Sequence, residues 1–252
     1  MIGFDDEDTQ TFIREKQRAT VAVADWGVAT SLGHRRLENE DYWGNLMLDR
    51  FAVADGMGGT SGGMLAAQTT IEEFLAIDST VGWVPELIQL NSRVVNTCRR
   101  DGFAAAGSTL VGLQVEEQRC VTVHIGDSRI YRLRNGILQQ VTRDHNLRNL
   151  RLDEGLDPEV TDERGTPRAL TSWVGAPQEP EQIDVATLSV EAEDRVILVS
   201  DGVSDQLSSD QISSITSRSE SCTAAAQLLV DESDNAGGRD NATAIVVELG
   251  IS

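Results

Sequence analysis

Four apolar runs in this chain each carry an aspartate at one tip. Phe51 to Ala54 stops at Asp55 and breaks into the glycines of DGMGGTSGG; VTVHIGD ends at Asp127; VILVSDG reaches Asp201; and Asp240 with Asn241 immediately precedes the apolar stretch from Thr243 to Val247. Short runs rich in Val, Ile and Phe predict buried strands. Folded side by side, such strands would bring four carboxylates to one sheet edge. An isolated Asp-Gly pair is an ordinary turn. Four that converge would repel and raise one another's pKa unless cations neutralise them, so the pattern points to a metal.

The remaining pattern predicts what surrounds that edge. Met64, Ala67, Ile71, Phe74 and Leu75 fall at helical spacing over residues 61–77, with Thr60 or Ser61 as the expected cap. Trp83 and Pro85 open a second helix, closed by Gly102. Residues 19–26 alternate as a strand, and the chain is expected to turn between Gly27 and Gly33. NLMLDRFAVAD predicts a hairpin around Asp49 and Arg50. Residues 107–115, 119–125, 129–134 and 138–141 read as successive strands, with Asn135-Gly136 a strong hairpin signal. Strands over 183–188, 195–199 and 243–249 and helices over 209–215 and 223–230 complete an antiparallel rather than a βαβ pattern. Residues 145–167 lose periodicity and predict an irregular flap. His124, opposite in facing to Val121, Val123 and Ile125, is expected to be structural or exposed.

Composition narrows the function. With 252 residues and 40% hydrophobic content the chain suits one domain, over 19–252, behind a polar tail at 1–18. Acidic residues number 41 against 21 basic, a net charge of −20 that argues against nucleic acid or an anionic membrane as partner. Neither a run long enough to span a membrane nor a signal-like start is evident, so a cytoplasmic protein is expected. Cys98, Cys120 and Cys222 are far apart and read as small buried apolar residues. His34, His124 and His145 show no ligand spacing, which speaks against a histidine-rich zinc site. The polar segment HRRLENEDYWG precedes the hairpin, so Glu40 and Asp41 are expected near Asp55, with an arginine close by to meet an anion.

In order, RRLENED, VADGMGG, GSTL, HIGDSRIYRLRNG, QQVTRDH, RALTSWVG, VILVSDGVSD and GRDNATAIVV resemble the motifs of the metal-dependent protein serine/threonine phosphatases of type 2C, in their bacterial form, from about residue 33 to 247. The resemblance implies an α+β fold, a four-layer αββα sandwich of two antiparallel sheets flanked by helices. It places a binuclear metal centre on Glu40, Asp41, Asp55, the carbonyl of Gly56, Asp201 and Asp240, with Asp55 bridging and some contacts made through water. A third metal, as in bacterial members, would use Asp127, Asp201 and Asp205. Arg36 matches the arginine that grips the substrate phosphate.

Oxygen-rich sites of this kind suit Mn²⁺ or Mg²⁺. Two such ions roughly 3.5–4 Å apart can activate a shared water for in-line attack on phosphorus, without a phosphoenzyme. The implied activity is hydrolysis of phosphoserine and phosphothreonine in proteins phosphorylated by a serine/threonine kinase, by a monomer. Ser108 and Ser200 lie near the motifs but lack a histidine base, so they are expected to settle backbone or ligand carboxylates rather than to act as nucleophiles. Met57 stands where some members have a histidine acid, which leaves protonation of the leaving oxygen to water at the centre or to the product. Ser31 stands where many members carry aspartate. A non-catalytic interaction module on the same fold is the alternative; the complete set of acids and Arg36 count against it.

Overall fold

The computed structural model describes residues 20–47, 49–116 and 119–251; the tail expected at 1–18 lies outside the described residues. In chain order the elements are β1 (Val21–Ser31), β2 (Asp41–Leu46), β3 (Arg50–Met57), α1 (Thr60–Leu75), α2 (Trp83–Arg100), β4 (Gly107–Ser108), β5 (Leu110–Glu116), β6 (Arg119–Ile125), β7 (Arg129–Arg134), β8 (Ile137–Gln140), α3 (Leu147–Asp153), β9 (Asp184–Leu188), β10 (Arg195–Val199), α4 (Asp201–Ser204), α5 (Ser209–Arg218), α6 (Cys222–Asn235) and β11 (Ala242–Ile251). One sheet has the order β1-β11-β10-β7-β8. The other runs β2-β3-β5-β6-β9, with β4 paired to β3. The strand pairings are antiparallel.

Strand alternation builds the layers. On β3, Phe51 and Val53 point between the sheets, where they meet Val111, Leu113, Ile130, Val196, Leu198, Ile245 and Val247. The intervening Ala52 and Ala54 face α1 and α2 with Ile71, Phe74, Leu87 and Leu90. Strand β11 divides likewise: Ala242, Ala244 and Val246 face α5 and α6, joining Ile212, Ala225 and Leu229. Period-two alternation between two apolar faces is what a strand buried on both sides requires. Small residues on the helix-facing side let each helix approach its sheet. The result is the expected αββα sandwich.

Three local expectations are corrected. The strand β1 continues through Gly27 to Ser31 instead of turning there. Gly27 serves close approach, because a Cβ on it would come within 2.3 Å of the Thr223 backbone at the start of α6. Helix α1 starts at Thr60 with Gly59 as its N-cap and no side-chain cap, so neither Thr60 nor Ser61 caps it. The segment 145–167 contains α3, capped by Asn146, which accepts from Asn149 N–H. Its inward face is Leu147 and Arg151, one turn apart, and Arg151 is 1% exposed, bonded to Asp162 and to the carbonyls of Val160 and Gly165. A charged residue on the buried face hides a helix from hydrophobic periodicity. His124 is buried, at 1% exposure, which is the structural one of its two expected roles.

The three cysteines are free and buried, as the composition suggested. No helix among the described residues is long and apolar enough to cross a membrane.

Candidate active site

The β2–β3 hairpin sets the first pair of acids by register. Asp41 and Asp55 are opposite one another across the two strands, and Gly56 N–H donates to Glu40 O at 3.1 Å. Glycine is required where these chains meet: a Cβ on Gly56 would stand 2.2 Å from Gly63 O, and one on Gly63 would stand 2.3 Å from Glu40 Oε1. The glycine loop therefore lets the start of α1 close over the Glu40 carboxylate. Asp55 is fixed through its backbone, with Thr109 Oγ1 accepting its N–H at 3.0 Å and Ser108 Oγ donating to its carbonyl at 3.0 Å. Its carboxylate faces that of Asp201.

The other sheet supplies Asp201 and Asp240. Asp201 begins the short helix α4 directly after β10, and Asp240 precedes β11. Ser200 joins the two sheets at this point: its Oγ donates to Asp41 Oδ2 at 2.7 Å and accepts the Thr243 N–H at 3.0 Å. Ser108 and Ser200 thus hold backbone and carboxylate, as expected. A cavity of about 430 Å³ opens over the meeting line, bordered by Arg36, Glu40, Asp55, Gly56, Met57, Asp127, Asp201 and Asp240, among others. Asp41 does not line it but stands opposite the lining Asp55 across the strand pair. Asp127 and Asp201 also border an adjoining cavity of about 770 Å³, where Asp205 pairs with Arg168 and where Arg143 and Arg148 of the flap region contribute to the wall.

Electrostatics mark this edge as short of positive charge. Burial, with Asp201 and Asp240 nearby, pushes the Asp41 carboxyl up to about 7 despite the Ser200 bond. Burial and then Asp41, Asp201 and Asp127 raise Asp55 well above the usual carboxylate range. Asp127 is pushed up to about 8 by burial, then by Asp201, Asp144 and Asp205, and Asp201 to about 6 by burial, then Asp205 and Asp240. Burial also raises Glu40. Glu40 Oε1, Asp41 Oδ1 and Asp201 Oδ1 are buried without a hydrogen-bond partner. Orphaned carboxylate oxygens beside carboxyls of raised proton affinity fit hard divalent cations as ligands.

Arg36 reaches the same cavity from the loop after β1. Its Nη2 donates to Asp240 Oδ2 at 2.6 Å and its Nη1 lies 3.7 Å from Glu40 Oε2, with the side chain 44% exposed. The Asp240 bond raises the guanidinium pKa further. Ser31 serves the turn beside it, donating to Asp234 Oδ2 at 2.6 Å and accepting the Gly33 N–H at 3.0 Å.

Every acid named from sequence for the two-metal core thus borders the cavity or, for Asp41, pairs across the strands with one that does. Beyond Ser108 and Ser200, sequence reasoning missed further groups that hold them. Asn241 is buried and ties the Arg36 loop to β11, accepting the Glu40 N–H at 2.8 Å and donating to Leu32 O and Glu38 O. Thr109 Oγ1 is bonded to Ser128 Oγ at 2.7 Å, and Arg129 forms a two-bond pair with Asp144 at 2.8 and 2.7 Å. Their sequence signal was only their place within the motifs GSTL, HIGDSRIYRLRNG, QQVTRDH and GRDNATAIVV.

Comparison with known proteins identifies the family. The protein phosphatase 2C family profile matches residues 30–233, most of the chain. The chain belongs to the protein phosphatase 2C family. It is similar to protein phosphatase PhpP of Streptococcus pneumoniae, at 28% identity over 87% of this chain and 95% of that one. The crystal structure of the serine/threonine phosphatase PstP of Mycobacterium tuberculosis superimposes with a TM-score of 0.73 at 28% identity, covering 92% of this chain and 99% of that chain. A PstP catalytic domain in complex with two manganese ions superimposes with a TM-score of 0.70 at 27% identity, covering 92% and 100%. The chain is accordingly a serine/threonine protein phosphatase of the 2C type.

Proposed function

We propose that the chain hydrolyses phosphoserine and phosphothreonine in proteins with the help of two divalent cations, Mn²⁺ or Mg²⁺. Glu40, Asp41, Asp55, the Gly56 carbonyl, Asp201 and Asp240 would hold them, and Asp127, Asp201 and Asp205 a third. The observation that carries the reading is the set of buried, unpartnered carboxylate oxygens on Glu40, Asp41 and Asp201 beside carboxyls of raised pKa. The manganese complex of the related PstP domain supports a divalent cation. When bound, such cations supply Lewis-acid charge that neutralises a phosphoryl group and lowers the pKa of water. The chain's own residues hold the site in place. Thr109, Ser108 and Ser200 fix Asp55 and Asp41 at the sheet tips, which preorganises the acids before substrate arrives. Met57 brings no acid to the cavity wall, so protonation of the leaving oxygen would fall to water in the cavity or to the product itself. The flap-side cavity, with Arg143, Arg148 and Arg168 on its wall, offers the protein part of the substrate a place to lie.

The test is release of inorganic phosphate from a phosphothreonine peptide. Release is expected with Mn²⁺ and is expected to stop with excess chelator, while a DNA substrate stays intact. Failure to release phosphate under saturating Mn²⁺ would overturn the catalytic reading in favour of an interaction module.

Arg36 is expected to meet the phosphate by exchanging its Asp240 partner for phosphoryl oxygens. A planar guanidinium holds two oxygens at once, whereas lysine offers a point charge. Arg36→Ala should lower kcat/KM by on the order of 10- to 100-fold, the worth of a charge-assisted bond, and Arg36→Lys should not restore it. Arg35→Ala is the control and should change little. Equal kinetics of Arg36→Ala and the parent protein on a phosphopeptide would remove the assignment.

A further inference from the structure

Outside the carboxylate site, the described residues hold a compact group of ligand-type side chains: His124, His145 and Asp184, from three separate segments, with donor atoms all within 4.8 Å of one another. The spacing would suit a cation, yet the hydrogen bonds oppose one. Gly126 N–H donates to His145 Nδ1 at 3.2 Å, so the ring proton belongs on Nε2, which faces Asp184 Oδ2 at 3.2 Å. A metal on Nε2 would drive that proton to Nδ1, directly against the Gly126 N–H. Burial first and the neighbouring His124 second lower the His145 pKa, while Asp184 and Asp144 act in the opposite sense, and the net lowering keeps the ring neutral near pH 7.

The group instead clamps one residue. His145 N–H donates to Gly126 O at 2.7 Å while its ring accepts the Gly126 N–H, so two bonds of opposite sense hold the two peptide units that flank Gly126. Gly126 has a φ of +111°, the turn by which β6 delivers Asp127 to the cavities. His124 packs on the His145 ring with centroids 4.3 Å apart and turns its Nδ1 toward the same Asp184 Oδ2, at 3.8 Å, so it shares Asp184 but offers Gly126 no substitute bond. We propose that His145, with its tautomer set by Asp184, is a positioning residue for Asp127: it fixes the Gly126 turn so that the Asp127 carboxylate faces Asp201 and Asp205. This rests on the reading of Asp127 as a cation ligand. Groups behind a ligand set its orientation, and their loss commonly costs affinity even though they touch no ion.

The experiment is a calorimetric Mn²⁺ titration, with melting curves confirming that each variant is folded. His145→Leu removes the acceptor and should weaken the weakest Mn²⁺ step by about 10-fold. His145→Asn places an oxygen near the position of Nδ1 and should recover most of that loss, which a purely space-filling role would not predict. Asp184→Ala, a change at a largely exposed side chain, frees the tautomer and should weaken the same step to a smaller extent; it also serves if His145→Leu does not fold. Asp127→Asn combined with His145→Leu should match Asp127→Asn alone, because nothing is left for His145 to position. If Asp127→Asn leaves the titration unchanged, the cation reading of Asp127 and this inference fall together. If Asp127→Asn weakens binding while His145→Leu and Asp184→Ala do not, or if the losses add in the double variant, the positioning role alone is overturned.

Discussion

Asp55→Asn and Asp201→Asn are each expected to lower phosphopeptide turnover by on the order of 10³-fold or more, with the fold intact. The acids lie at the meeting line of two sheets, where burial and their mutual charge hold Asp55 well above the usual carboxylate range and Asp201 at about 6. An amide keeps the size but supplies neither the charge nor the second anionic oxygen. If the cations contribute several kcal/mol to the transition state, and each 1.4 kcal/mol is a factor of ten, loss of a ligand at the centre reaches this size. Steady-state kinetics over a Mn²⁺ range checks it. Near-parental turnover of either variant at moderate Mn²⁺ would remove that residue from the machinery, and full activity in rigorously metal-free protein would remove the two-cation reaction altogether.

The second large effect is on stability. Unfolded aspartates titrate near 3.9, whereas in the folded chain Asp201 lies at about 6, Asp41 at about 7 and Asp127 at about 8. Between these limits the metal-free folded state binds more protons than the unfolded state, so the contribution is fully present below about pH 4 and is lost as pH rises through the folded values. Metal-free protein should therefore lose on the order of a few kcal/mol of stability from these groups between about pH 4 and 8. Cations that bind only the folded acids replace the protons, and saturating Mn²⁺ should raise the melting temperature most at the upper end of that range. Thermal melts at several pH values, with and without Mn²⁺, check both parts. A melting temperature indifferent to Mn²⁺ near pH 8 would mean that the carboxylate edge does not hold the ion.

Several parts of this molecule were legible in the linear pattern. Period-two alternation and Asn135-Gly136 were enough for the strands and the β7–β8 hairpin, because a strand between two apolar layers must carry apolar residues on both faces. The aspartates at strand tips could be read as one site because strands of similar length, packed side by side, end at a common edge. The hairpin around Asp49 and Arg50 likewise fixed the approach of Asp41 to Asp55 by register alone.

What the pattern could not carry was every contact made by polar groups across long separations. Arg151 looks like a surface residue in sequence and becomes the buried pin of α3 only when Asp162 and two carbonyls surround it. Gly27 looks like a turn until α6 packs against it. Ser200 reaches Asp41 from 159 residues away. His124 and His145 show no ligand spacing along the chain, yet their rings lie side by side once β6, β9 and the segment before α3 converge. The local sequence determined the elements, the layers and the identity of the acids, since these depend on hydrophobic period and turn chemistry. Only the tertiary structure decided which partners hold those acids in place, because a hydrogen bond between distant residues leaves no periodic trace in either one's neighbours.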